Sequence, residues 1–269
     1  MLPVQAYLPS VEQTVAIMLT GIALLNTCVQ TEGGTGNVGL VLMDSAGIDQ
    51  EASPAALTSF ISTRRQEEVT YGGMWWFFNP DAAPEYGYER PPGVFAESRS
   101  STAVTEPAQT SCAARVGSVM PDRSSSLLIG RILSPFGVSD LPDGGSPWHP
   151  NDSRYVAAEQ KWSDCMATQG FDYATPYDAF VDNYAPKTPE ATARGKAVAT
   201  ADVQCKIDTN LVGVGVAVQS AYDQQYIDSH RDVLAAQQRE ITDFLAGRVA
   251  VPASAAPGPG MEQSPAPPS

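Results

Sequence analysis

The chain has 269 residues, of which 43% are hydrophobic, so it can bury one large or two modest cores and is not a wholly disordered protein. Its 30 acidic residues outnumber its 16 basic residues and give a formal net charge of −14. A charge of this sign repels phosphate backbones and anionic lipid headgroups, which excludes nucleic acid as an expected partner.

The first predicted element is an amphipathic helix that begins after Ser10. Ser10 and Gln13 form a capping-box pattern, in which each side chain accepts a hydrogen bond from the backbone of the other residue. The glycine at position 33 is suited to cap the far end. Between them, apolar residues recur at spacings of four and three, as on one helix face: Val11, Val15, Met18, Ile22, Leu25 and Val29.

The apolar run 15–25 also resembles the core of a signal peptide followed by a lipid-modified Cys28. However, Glu12 stands where such a signal carries basic residues, and Thr27 fits poorly before a modified cysteine. The run is also shorter than a membrane-spanning helix requires. We therefore expect a core helix and no transmembrane span; if the protein is exported, its signal sequence is not part of this chain.

Two further helices are predicted in the first 120 residues. One begins at Ser53-Pro54, because proline favours the first helical position, and runs to about Gln66. The other covers about 106–120 and carries Cys112. Between them lies a region rich in glycine, proline and aromatic residues, including the run 75–78 and the segment 85–88.

The second half of the chain is more strongly helical. A helix capped by Asn151 is predicted over 152–169 and is closed by Gly170. Thr188-Pro189 then begins helix that continues to about Arg248, with a break near Asn210. Residues 211–218 alternate glycine with valine and also fit a strand, but their polar flanks favour helix.

These elements predict a mainly α fold, a disulfide-stapled helical bundle with long irregular loops. The predicted divisions are an N-terminal helical half with the aromatic loop region at 1–120, an irregular proline-rich connection at 121–151, and a C-terminal helical half with the long helix at 152–250. Residues 251–269 are rich in proline and alanine and predict a disordered tail.

The four cysteines, Cys28, Cys112, Cys165 and Cys205, allow three disulfide pairings, or else four buried thiols. Their spacing does not fit a zinc or thioredoxin-like motif, and the chain has only two histidines, so we expect no metal site and no cofactor.

A short sequence pattern that occurs twice favours one of the three disulfide pairings. Residues 28–33 and 165–170 share the pattern Cys-x-x-Thr-(Glu/Gln)-Gly at the end of a predicted helix, and a further cysteine follows each pattern in another predicted helix. The repeated pattern suggests two related halves, each with its own disulfide, and therefore the pairs Cys28–Cys112 and Cys165–Cys205.

The C-terminal half resembles a group of actinobacterial secreted proteins and lipoproteins of unknown function. The resemblance rests on Trp162-Ser163-Asp164-Cys165-Met166 with Gly170-Phe171-Asp172-Tyr173, and on Ala201-Asp202-Val203-Gln204-Cys205-Lys206 leading into a long helix. The first half agrees less well, since Cys28-Val29 stands where the group has Cys-Met. The resemblance implies export, disulfides and helices, and it carries over no catalytic residue.

A set of aromatic residues in the loop-rich region is the main candidate for a binding site. Aromatic faces stack on sugars and peptides, although the same residues also fill gaps between helices. The candidate binding aromatics are Trp75, Trp76, Phe77, Phe78, Tyr86 and Tyr88.

Catalytic signals are weak. Acidic pairs such as Asp140 with Asp143 and Glu159 with Asp164 are expected on any acidic surface, and neither His149 nor His230 lies next to an activated nucleophile in the sequence. The leading hypothesis is a non-enzymatic binding or interaction module, secreted or associated with the cell envelope, whose partner is an envelope protein or a cell-wall component. The alternatives are a cell-wall hydrolase that uses a carboxylate pair and a structural accessory subunit of an envelope complex.

Overall fold

The computed structural model describes residues 2–34, 53–71, 78–89, 107–121, 141–184 and 188–253. Over these residues the protein is mainly α-helical and contains no β-strand, which confirms the predicted fold class. Short 3-10 turns cover Pro3–Tyr7 and Pro142–Gly144. The α-helices are α1 (Val11–Thr31), α2 (Pro54–Tyr71), α3 (Ala83–Tyr86), α4 (Pro107–Gly117), α5 (Ser153–Thr168), α6 (Pro176–Asn183), α7 (Pro189–Asp208) and α8 (Leu211–Leu245).

The chain divides into two compact units, each built from segments that are far apart in the sequence. Unit 1 comprises Met1–Leu8, Ser59–Ala96 and Gly137–Leu234, and unit 2 comprises Pro9–Thr58, Glu97–Phe136 and Ala235–Ser269. The sequence divisions at 1–120, 121–151 and 152–250 stay a prediction, since periodicity and caps carry no information on long-range contacts. Residues 122–140 of the predicted connection and 254–269 of the predicted tail lie outside the described residues.

In unit 2, α1 is the helix that its sequence pattern predicts. The Ser10 hydroxyl accepts from the Gln13 backbone N–H at 3.1 Å, and the Gln13 side chain accepts from the Ser10 backbone N–H at 2.9 Å. α1 packs against α4, and the Cys28–Cys112 disulfide joins the two helices. The buried face of α1 includes Val15, Met18, Ile22, Leu25 and Val29.

α1 is longer than the apolar run that suggested it. It has 21 residues, and its most apolar 18-residue window has a mean hydropathy of 1.5, so by length and composition it is able to cross a membrane, which corrects the statement that the run is too short. Half of its apolar window is buried within the protein, and core helices and signal sequences meet the same criterion. The buried face of α1 and the Cys28–Cys112 disulfide hold this helix in unit 2, as expected of a core helix.

Unit 1 is organised around α7, which packs against α3, α5 and α6. The N-terminal cap of α5 is Asp152, whose carboxylate accepts from the Arg154 N–H at 2.9 Å, and not Asn151 as predicted. α6 was missed by the sequence analysis, although Thr175 and Asp178 form a capping box around Pro176 at its start.

Two glycines allow α7 to approach the segment after α3. Gly87 has a φ of +63°, and a Cβ built there lies 3.3 Å from the Gly195 carbonyl carbon in α7. A side chain at Gly87 is therefore unfavourable for backbone conformation and for space. This close approach brings Tyr88 into the core of unit 1, where it is 2% exposed and meets Phe180 edge-to-face at 5.6 Å.

The segment 211–218 is helical, as the sequence favoured, and forms the start of α8. The predicted break is present, because Asn210 has a φ of +53° between α7 and α8. α8 ends at Leu245, three residues before the predicted end at Arg248, and it is kinked at His230, where φ is −120°.

Candidate functional site

The first cysteine of each disulfide lies near the C-terminal end of a helix, in α1 and in α5, as the repeated sequence pattern suggested. At the end of α1, Glu32 N–H donates to the Cys28 carbonyl and Gly33 N–H to the Gln30 carbonyl. At the end of α5, Gln169 N–H donates to the Cys165 carbonyl and Gly170 N–H to the Ala167 carbonyl. Gly33 and Gly170 both adopt positive φ, +78° and +85°. The bonds Cys28–Cys112 and Cys165–Cys205 confirm both predicted pairs.

A buried polar cluster lies beside the Cys165–Cys205 bond in unit 1. Asp202 and Lys206 face the same side of α7, and the Lys206 ammonium donates to Asp202 Oδ2 at 2.8 Å. The Trp162 indole N–H of α5 donates to Asp202 Oδ1 at 2.9 Å. The exposed fractions of the Asp202 and Lys206 side chains are 0% and 1%, and Trp162 is fully buried.

Burial dominates the electrostatics of this cluster. It raises the pKa of Asp202 and lowers the pKa of Lys206, because a low-dielectric interior disfavours both charged forms, while their mutual attraction opposes these shifts. Burial and the nearby Asp202 carboxylate also raise the pKa of Tyr88 well above its usual range. Burial also raises the pKa of Tyr155. The nearby carboxylates add to this shift, Glu159 more than Asp202.

Strongly shifted ionisable groups often mark active sites, but such a site needs access for a substrate. Asp202 and Lys206 are buried, and the Asp202 carboxylate accepts hydrogen bonds from the Lys206 ammonium and the Trp162 indole N–H. The cluster therefore locks α5 to α7 next to the disulfide, which is a structural role.

An open groove of about 450 Å³ lies on the surface of unit 1. Its floor is one face of α7, where the small side chains of Ala197 and Ala201 leave space. Phe171, which follows the end of α5, and Pro84 of α3 form its apolar walls. The polar part of the lining is Gln169, Lys196, Thr200 and Gln204.

The polar groups of the groove have defined hydrogen-bonding roles. The Thr200 hydroxyl donates to the Lys196 carbonyl at 2.7 Å, so its oxygen can accept from a ligand. The Gln204 amide nitrogen donates to Asp208 at 2.8 Å, which leaves the amide oxygen as an acceptor. Lys196 is half-buried and makes no ion pair among the described residues.

The two histidines lie elsewhere in unit 1. The His149 ring stacks on Tyr222 at 3.5 Å, and the Tyr222 hydroxyl donates to Asp152. Hydrogen bonds from Arg154 hold the pKa of Asp152 below its usual range, so this carboxylate is an anion and a poor base.

His230 lies at the α8 kink. Its Nδ1 faces the Tyr226 carbonyl at 2.8 Å and its Nε2 faces Asp143 at 3.3 Å. A carbonyl can only accept, so Nδ1 carries the proton and is not a base for the neighbouring Ser229, which donates to backbone carbonyls.

The aromatic candidates separate into three groups. Trp75, Trp76 and Phe77 lie outside the described residues. Phe78 packs partly buried against the core of unit 1, and Tyr86 is half-buried. Tyr88 is a core residue and cannot stack on a ligand, because its ring is covered by the protein. Of the acidic pairs, Asp140 lies outside the described residues, and neither Glu159 nor Asp164 lines the groove.

The sequence analysis missed both the buried cluster and the groove. An acid and a lysine four residues apart on a helix is a readable signal, and Asp202 and Lys206 have this spacing. The groove has no such signal, because its walls come from α3 and the segment that follows α5, and its floor comes from α7. Within the described part of the chain, no group of three or more His, Cys, Asp or Glu side chains is placed to hold a metal ion.

Comparison of the chain with protein-family models, with curated proteins and with solved structures finds no match.

Proposed function

We propose that the protein is a non-enzymatic binding module that works outside the cytoplasm, as a secreted or envelope-associated protein, and that the groove on α7 is its ligand site. Two disulfides, Cys28–Cys112 and Cys165–Cys205, support the compartment, because disulfides persist in oxidising environments and are rare in the cytosol. The resemblance of the segment around Trp162 and Cys205 to actinobacterial secreted proteins points the same way.

The lining of the groove carries the binding part of the proposal. It combines an aromatic wall, a cation and hydrogen-bond acceptors on α7, the helix that packs against α3, α5 and α6. Ligand sites combine an apolar surface with a few placed polar groups in this way. The expected ligand is a component of the cell wall or of another envelope molecule.

A hydrolase requires two carboxylates, or His149 and a carboxylate, in one pocket. The described residues that line the groove include no carboxylate and no imidazole. Its polar groups suit recognition better than general acid–base chemistry, and binding is therefore the function that the geometry supports best.

A structural accessory role has one observation in its favour. Tyr177 and Val181 of α6 and Tyr184, which follows its last residue, are 47%, 51% and 49% exposed. Exposed apolar stripes often mark interaction surfaces. Sedimentation equilibrium over a hundredfold concentration range tests this role: association that Val181→Asp abolishes favours it, and a constant monomer mass speaks against it.

The binding proposal is tested by filling the groove. Ala197→Trp places an indole on the floor, and Ala193→Trp is the matched control, since Ala193 is exposed on the same helix but does not line the groove. Isotope-labelled protein is titrated with soluble glycan and peptide fragments of cell walls and followed by two-dimensional NMR. We expect saturable shifts at groove residues in the wild type and the Ala193→Trp variant, and none in Ala197→Trp. Shifts confined to other surfaces, or equal binding by both variants, would refute the proposal.

A further inference from the structure

We infer that the groove binds a small monocarboxylate that also carries hydroxyl or amide N–H groups, such as a sugar acid or an N-acylated amino acid. The inference rests on the proposed function, because it names the ligand class of the same groove. It follows from the charge, the hydrogen-bonding groups and the size of the lining.

The charge of the lining is opposite to that of the protein. The chain carries a net charge of −14, yet among the described residues that line the groove the only ionisable side chain is Lys196. Glu85 and Asp172 are sequence neighbours of wall residues, but neither lines the groove. An ammonium with no carboxylate among the described lining residues favours an anionic ligand and disfavours a cationic one.

The number of cationic groups favours a carboxylate over a phosphate. A single lysine matches one negative charge, whereas phosphate sites usually supply several donors, with arginine forks or helix N-termini among them. The part of the lining that the structure describes contains no arginine, and Lys196 lies in the second turn of α7, beyond the first-turn backbone N–H groups that lack helical partners.

The remaining polar groups define the rest of the ligand. The Thr200 hydroxyl has used its donor on the Lys196 carbonyl and keeps an acceptor oxygen, and Gln204 keeps its amide oxygen and one amide N–H. Ligand hydroxyl or amide N–H groups satisfy such acceptors. The apolar walls at Phe171 and Pro84 suit the C–H face of a sugar ring or a short acyl chain.

The groove is small. A space of about 450 Å³ lies at the lower end of the range for ligand sites, and it is open to solvent. It therefore holds about one ring or one acyl-amino-acid unit, which can be the end of a longer polymer.

Matched acid and amide probes test the charge. The pairs are glucuronate with glucuronamide and N-acetylalanine with N-acetylalaninamide, and inorganic phosphate is the anion control. Each is titrated into isotope-labelled protein at fixed ionic strength and followed by two-dimensional NMR. We expect one acid to bind at groove residues about two- to fivefold more tightly than its amide, the ratio that a solvent-exposed ion pair provides.

Variants test whether Lys196 is responsible for the tighter binding of the acid than of its amide. Lys196→Gln should reduce the acid-to-amide ratio to about one, and Lys196→Arg should keep it, because a cation is retained. Lys161→Gln is the matched control and should leave the ratio unchanged, since Lys161 is exposed on α5 and does not line the groove. Unchanged circular dichroism shows that each variant is folded.

The outcomes separate this inference from the proposed function. Equal binding of acid and amide, or phosphate binding as tight as that of the acids, refutes the monocarboxylate class while the groove remains a binding site. If no probe shifts the groove residues but cell-wall fragments do, the class is again wrong and the function stands. If the fragments also fail, both proposals are refuted.

Discussion

Replacing Lys206 by methionine removes the cation of the buried pair and keeps most of its apolar length. Asp202 then stays 0% exposed, with its carboxylate facing the Trp162 indole N–H but no compensating charge. Removing one partner of a buried ion pair costs about 3–5 kcal/mol, because the remaining charge is desolvated without compensation. For a domain of this size such a loss lowers the Tm by roughly 6–20 °C.

The double variant Asp202→Asn with Lys206→Met tests the reason for that cost. It leaves no buried charge, and the asparagine oxygen can still accept from the Trp162 indole N–H, which lies 2.9 Å from Asp202 Oδ1. We therefore expect the double variant to be more stable than either single variant. The exposed pair Arg231–Asp228 provides a matched control, and we expect Arg231→Met to leave stability unchanged.

The assay is equilibrium unfolding in urea, followed by tryptophan fluorescence and by circular dichroism. Two results would refute the reasoning. One is a cost of less than about 1 kcal/mol for Lys206→Met, which is the value for an exposed pair. The other is a double variant whose cost equals the sum of the two single costs, because that result would show that Asp202 and Lys206 act independently.

Two further predictions concern the same region of unit 1. Replacing Cys165 and Cys205 together by alanine opens a link across 40 residues and should cost about 2–5 kcal/mol, measured by urea unfolding under non-reducing conditions; an unchanged midpoint would contradict this. Burial raises the pKa of Tyr88 and Tyr155 above the ordinary value of 10.0, so the native state keeps protons that the unfolded state releases. The two tyrosines contribute fully to stability below pH 10.0, and this contribution is lost as the pH rises above that value. The urea midpoint should therefore fall above pH 10.0, and it should fall less steeply in the Tyr88→Phe variant. Ionisation of all ten tyrosines near pH 10.0 in protein that is still folded would contradict the prediction.

Local features of the fold were predictable from the sequence. The capping box at Ser10, the proline starts at Pro54 and Pro189 and the glycine ends at Gly33 and Gly170 depend on residues within one helical turn. The two disulfide pairs were predictable for a different reason, because the same helix-end pattern occurs twice and each copy has its own partner cysteine.

The features that were not predictable depend on distant segments. The two compact units combine segments from both ends of the chain, and no periodicity indicates such pairing. Tyr88 was a binding candidate because it is aromatic and lies in a loop-rich region, but the close approach of Gly87 to Gly195 places it in the core. The groove likewise exists only because Phe171 and Pro84 flank α7 in space.

The most direct test of the two disulfides and of the proposed extracytoplasmic location is the thiol state of the chain in the cells that produce it. Protein isolated under acid quench is treated with an alkylating reagent, with and without prior reduction, and its intact mass is measured. We predict no adduct without reduction and four adducts after reduction, since all four cysteines are joined in disulfides. Four adducts without reduction would contradict the account, because free thiols at all four positions are typical of a reducing compartment.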